Sequence, residues 1–136
     1  MYRYTLKEFQ EACSYGKLEW AKRLTNLHNI TIEHVQYDNN LAIRSACANN
    51  RLETAQWLVK NFNLTNKDIK SDDDYALKWA CIYKHEEIIK WLLDNYYNLE
   101  EILEFCKKHY FIPEKTKTWL KNYYQPVGIF TKPVKF

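Results

Sequence analysis

The sequence predicts an all-α solenoid, a row of short helix pairs stacked side by side. Three observations carry that expectation. An Ala-Cys pair recurs at 12/13, 46/47 and 80/81, a period of 34 residues held without gaps. Apolar residues after each pair return at the three- and four-residue spacing of an amphipathic helix. Finally, 136 residues contain only two glycines and three prolines, too few for the many tight turns of an all-β fold.

The aligned segments read Glu11-Ala12-Cys13-Ser14-Tyr15-Gly16-Lys17-Leu18-Glu19, Ser45-Ala46-Cys47-Ala48-Asn49-Asn50-Arg51-Leu52-Glu53 and Trp79-Ala80-Cys81-Ile82-Tyr83-Lys84-His85-Glu86-Glu87. Leucine then recurs at 24, 58 and 92. Each copy reads as two helices. In the second, Leu41–Asn49 is helix-prone, and Asn49-Asn50 makes a turn whose counterpart in the first copy is Gly16, suited to a helix C-terminus. A helix over about 51–61 follows, with Leu52, Ala55, Leu58, Val59 and Phe62 on its apolar face.

Connectors of about 13 residues link the copies, with Thr31 over Thr65, Val35 over Ile69 over Leu103, and Asp38 over Asp72. Thr31 and Thr65 are expected to cap a single extra turn, and Asn40 and Asp74 to cap the next first helix. The recurring alanine has a packing reason: a larger side chain at 12, 46 or 80 would push successive pairs apart. One helix pair cannot bury both of its faces, so the stack is the folding unit.

These residues resemble the ankyrin repeat family. The third copy carries the likeness best: Ala80-Cys81 as the small pair, then His85, Glu87, Ile88, Ile89, Lys90, Leu92 and Leu93 along the second helix. Gly16 and Leu18-Glu19 supply the matching elements in the first copy, so the resemblance covers about residues 6–105. The family's Thr-Pro-Leu-His start and hairpin glycines are missing, so a helical-turn connector is expected instead of a β-hairpin. The tetratricopeptide array shares the 34-residue period but has short linkers, which the 62–74 connector does not match. The Asp…Ala-Leu-Lys-Trp-Ala-Cys stretch, in an Asn/Lys/Tyr/Ile-rich chain, is similar to divergent ankyrin proteins of large DNA viruses of amoebae.

A decayed fourth copy follows. Glu104–His109 resembles a first helix, and Pro113–Leu120 a second in which Thr116 and Lys117 replace aliphatics, as for a cap with a polar outer face. The expected organisation is a 1–125 repeat domain, with repeats over about 6–37, 38–71 and 72–105 and a degenerate cap over 106–125, then an extended tail over 126–136. Val127, Ile129, Phe130, Val134 and Phe136 make that tail too apolar for free disorder. It is expected to dock on its own last helices or on a neighbouring chain, and the protein to be a monomer unless it does the latter.

Little in the pattern suggests catalysis or a bound cofactor. No GxGxxG or GxxxxGK[ST] occurs, the four histidines are scattered, and no Ser/His/Asp set assembles. Cys13, Cys47 and Cys81 share one repeat position; helices packed ~8–10 Å apart hold them beyond disulfide reach. They read as small buried thiols in a reducing compartment. Cys106-Lys-Lys-His109 has a metal-like spacing but no second pair, so neither metal nor cofactor is expected. No leader or membrane-spanning run is recognised, so Asn29-Ile-Thr31 and Asn63-Leu-Thr65 read as turn asparagines beside capping threonines, and the chain as intracellular.

The net charge of +3 divides unevenly: residues 107–136 carry seven lysines against Glu114, a balance of +6, leaving −3 on residues 1–106. The resemblance implies a protein partner, taken on the concave face. Its variable positions, carried over, are Ser14-Tyr15, Ala48-Asn49 and Ile82-Tyr83, with Tyr37-Asp38-Asn39 and Ser71-Asp72-Asp73 at the connector tips. Tyr15 and Tyr83 are the expected anchors. The alternatives are nucleic-acid association through the basic C-terminal end and a structural role in a larger assembly joined through the tail. The five tryptophans are expected to serve packing.

Overall fold

The computed structural model describes residues 3–124, and the apolar tail falls outside them. Among the described residues the elements are α1 (Arg3–Ser14), α2 (Leu18–His28), α3 (Ile32–Ala48), α4 (Leu52–Phe62), α5 (Asn66–Ile69), α6 (Ser71–Ile82), α7 (Glu86–Tyr96), α8 (Leu99–Lys108) and α9 (Glu114–Asn122). They contain no strand, and no helix is long and apolar enough to cross a membrane. Helix α1 packs on α2, α3 on α4 and α6 on α7 within repeats, while α1 against α3 and α3 against α6 join repeats.

The repeat register is visible in the core. Ala12, Ala46 and Ala80 are buried, as are Cys13, Cys47 and Cys81 beside them. Second helices contribute Ala21, Ala55 and Ile89 at one level and Leu24, Leu58 and Leu92 at the next. Phe9, Trp57 and Phe62 form a ring cluster at the first inter-repeat joint, with centroids 5.7–6.4 Å apart. All four cysteines are free and buried; loss of solvation pushes the Cys13 and Cys47 thiols up to about 12, so they stay protonated and unreactive.

The turn between paired helices is the same object three times. Gly16, Asn50 and Lys84 sit in the left-handed region (φ 70, 61 and 58°). The next N–H, from Lys17, Arg51 or His85, donates back to the carbonyl of Ala12, Ala46 or Ala80 at 2.8–2.9 Å. This closure satisfies carbonyls that a helix end would leave unpaired. Second helices α2 and α4 likewise end on left-handed asparagines, Asn29 and Asn63.

Connectors are helical turns with an unusual break. Thr31 and Thr65 open them in extended conformation, and their N–H groups donate to His34 Nδ1 and Asp68 Oδ2 at 3.0 and 2.8 Å. Inside α3 and α6, just before each regular first helix begins, three successive residues take left-handed φ: Asp38, Asn39 and Asn40 (57, 54, 61°), and Asp72, Asp73 and Asp74 (55, 58, 56°). Asn40 and Asp74 are thus the last residues of left-handed turns, not N-caps of the extended kind expected. Asn and Asp tolerate this region best among residues with a side chain, yet usually one at a time.

The fourth copy departs from the register. Tyr97 is extended where the earlier copies place Asn29 and Asn63, and one residue is lost. Asn98 then caps α8, accepting from the Glu101 N–H at 2.8 Å. The aligned apolar residue is therefore Ile102, fully buried, whereas Leu103 is exposed; its expected match to Val35 and Ile69 is off by one. Helix α8 runs on without a left-handed break, so the expected boundary at 105/106 falls inside it. Thr116 and Lys117 correct a second expectation, because both are buried. The Lys117 stem is covered, while its ammonium reaches the Tyr110 carbonyl at 3.5 Å and Glu114 at 3.7 Å, the usual way a long cation meets burial.

Candidate protein-binding face

First helices bury one face and leave a stripe at positions separated by four residues. Along α1 and just past its end the stripe is Lys7, Glu11, Tyr15; along α3 and its C-cap, Leu41, Ser45, Asn49; along α6 and its C-cap, Tyr75, Trp79, Tyr83; none of the nine is buried. The 34-residue register sets these rows side by side. Along α6 they become an aromatic row: Tyr75 to Trp79 is 5.9 Å between centroids, Trp79 to Tyr83 is 5.6 Å and stacked, and Tyr83 to His85 is 5.8 Å. Between α1 and α3 the same face sinks into a shallow groove of about 310 Å³ that includes Lys7, Glu11, Tyr15, Leu41 and Ser45.

Tyr15 and Tyr83, at equivalent positions, are 62% and 58% exposed, so both rings are available to a partner. Asn49 shares their position, but its amide donates to Ser14 Oγ at 2.8 Å, tying repeats one and two. Ala48 and Ile82 are half-buried, and the Ala48 carbonyl accepts from His85 Nε2 at 3.0 Å. That bond braces the third repeat against the second.

The connector tips form an edge beside this face. Tyr37 is 61% exposed. Asp38 and Asn39 are exposed, but their carbonyls are held by buried Arg44, whose Nη2 and Nε donate at 2.9 and 2.8 Å. The same guanidinium pairs with Asp72 at 3.2 Å and lies 4.6 Å above the Tyr75 ring. Ser71 is half-buried, donating to the Asp68 and Asn39 carbonyls at 2.7 and 3.2 Å. Asp73 pairs with Lys108 and lies 3.8 Å from the Lys78 ammonium.

Sequence reasoning missed Tyr75, Trp79 and Leu41 as members of the open face, and missed Arg44. The signal was present: Tyr75, Trp79 and Tyr83 stand at i, i+4 and i+8, one face of a helix. Trp79 is half-buried in that row, whereas Trp57 and Trp91 pack against the core. Among the described residues, one group could hold a metal ion: Asp73, Asp74 and His109.

Repeated helix pairs, closed by matching turns and presenting one open stripe per repeat, define a helical repeat protein of the interaction type. A profile for ankyrin repeats, in three copies, matches residues 9–102; the chain belongs to the ankyrin repeat family. Repeats of this family generally mediate protein–protein interaction and are generally not catalytic. No curated protein and no solved structure matched the chain.

Proposed function

We propose that the chain is a non-catalytic interaction module that takes a protein partner across the concave face of its first helices. The row Tyr75–Trp79–Tyr83 carries this reading. Three large rings share one helix face, Tyr83 58% exposed and Tyr75 and Trp79 partly so, where burying them would favour a complex at little cost in side-chain entropy. Tyr15 and the α1–α3 groove extend the surface, and the tips Tyr37, Asp38, Asn39, Asp72 and Asp73 form its rim. The four buried free thiols fit an intracellular setting. The likeness to ankyrin proteins of amoeba-infecting viruses makes an infected host cell the setting to test first.

The basic C-terminal end supports nucleic-acid binding less well. Lys108 pairs with Asp73 and Lys117 is buried, so two of its seven lysines already serve the fold. The test is comparative capture from the native source with the full chain and with Trp79→Ala/Tyr83→Ala, both first shown to be folded by circular dichroism. Loss of specific proteins with the double variant is expected. An unchanged set of captured proteins would refute the proposed face, and salt-sensitive binding to random DNA would favour the alternative.

A further inference from the structure

We propose that Asp73, Asp74 and His109 form a binding site for a divalent transition-metal ion of the zinc type, set where the last left-handed turn meets the end of α8. One carboxylate oxygen from each aspartate and one imidazole nitrogen lie within 4.8 Å of one another. The left-handed turn brings this about, with Asp73 and Asp74 at φ 58 and 56° curling two neighbouring carboxylates around a single spot. His109 closes the spot from the C-terminus of α8.

The histidine points to a ligand independently of the acids. It is 3% exposed, and its buried Nε2 has no hydrogen-bond partner among the described residues. A polar atom left this way is costly and calls for a partner that the protein does not provide. The ring is held by contact with Phe105 at 4.7 Å and Phe111 at 5.9 Å. Tyr97 OH donates to Asp74 Oδ1 at 2.5 Å, the kind of outer contact that orients a carboxylate ligand and leaves its second oxygen available.

The donor set selects the ion. Imidazole nitrogen with carboxylate oxygen suits zinc, cobalt or nickel, whereas calcium and magnesium favour all-oxygen shells. Tetrahedral bonds of about 2.0–2.2 Å put donors roughly 3.4 Å apart, so the widest pair, within 4.8 Å, must close by up to about 1.4 Å, within reach of a side-chain rotation. Asp73 and Asp74 also line a groove of about 530 Å³ with Tyr97 and Lys108, with room for water beside the carboxylates. Without metal, Lys108 and Lys78 balance Asp73. The Lys108 side chain is 56% exposed on a flexible stem, so it can leave when an ion enters. Bound metal would clamp the last helix pair to the third repeat.

The test uses the full chain, stripped with chelator and titrated with Co²⁺, then with Zn²⁺ as competitor. One equivalent of Co²⁺ is expected, with visible bands of a low-coordinate site, no thiolate charge-transfer band, displacement by Zn²⁺ and a higher Tm with Zn²⁺. Asp74→Asn and His109→Gln should each weaken Co²⁺ binding at least tenfold; Lys108→Ala should tighten it by removing the competing cation. The Asp74→Asn variant keeps the test decisive if His109→Gln fails to fold. No saturable Co²⁺ binding by the native chain would overturn the proposal, as would equal affinity in Asp74→Asn. A thiolate band would overturn the ligand set in favour of Cys106.

Discussion

Replacing Arg44 by methionine keeps the aliphatic stem and removes the guanidinium from the carbonyls of Asp38 and Asn39 in the first three-residue left-handed turn. Three consecutive left-handed residues each cost up to ~1–2 kcal/mol in an L-chain, so this turn depends on its clamp. Charged hydrogen bonds contribute about 1.5–3 kcal/mol each. Asp38 and Asn39 are exposed, and their freed carbonyls can rehydrate, which favours the lower end of that range. The contact above Tyr75 adds about 0.5–1 kcal/mol, while the pair with half-exposed Asp72 adds little. The expected loss is therefore about 3.5–4 kcal/mol for Arg44→Met. Arg44→Lys, which can hold one carbonyl but not fork across two, should lose about half of that. Urea unfolding at pH 7, followed by far-ultraviolet circular dichroism, measures both. A loss below about 1 kcal/mol for Arg44→Met, or a lysine variant equal to the native chain, would refute the clamp.

Two further outcomes follow from the turns and caps. Lys84→Gly should stabilise by about 0.5–1 kcal/mol, because Lys84 holds φ 58° where a side chain is strained; a thermal melt at or below the native Tm would count against this. Burial pushes the Asp68 carboxyl up, but hydrogen bonds from the Thr65 N–H, the Gln36 amide and the Thr65 hydroxyl outweigh it and hold the group below the usual carboxylate range. A lowered folded pKa contributes stability that is present above the unfolded value of about 3.9 and is lost as pH falls through the folded value. Asp68→Asn should therefore cost about 1–2 kcal/mol at pH 7 and much less once Asp68 is protonated in the native chain; urea melts at both pH values check it, and a pH-independent difference would exclude the ionised cap.

What could be read in advance was whatever repeats. Ala46 and Cys47 have copies on either side, so their burial followed from register alone, as did the matching turns at Gly16 and Asn50. The left-handed turns were harder. Asp38-Asn39-Asn40 and Asp72-Asp73-Asp74 align in the sequence, but acids and amides before a helix usually signal an N-cap, and runs of left-handed residues are rare. Misplacing Leu103 had a different cause: a single residue lost at Tyr97 shifts everything after it, and one copy offers no second example to reveal the shift. The burial of Thr116 and Lys117 depends on how the C-terminal helices meet the stack, which local polarity does not encode. The aromatic row was hidden by composition, since Trp79 considered alone looks like core.

The joint between repeats two and three has a consequence for how such a chain can grow. Arg44 reaches forward to Asp72, and Asp72 occupies the same register position as Asp38. A duplicated unit of residues 38–71 inserted after Ser71 would present an aspartate to the original arginine and carry an arginine for the next aspartate. The arginine–aspartate pairing of the seam would copy itself, while Leu41 and Arg51 would stand where Tyr75 and His85 stand now. At the far end, α8 passes through the place where another left-handed turn would begin, so that side offers no matching socket. Lengthening by internal duplication is thus open in the middle of the array and closed at α8.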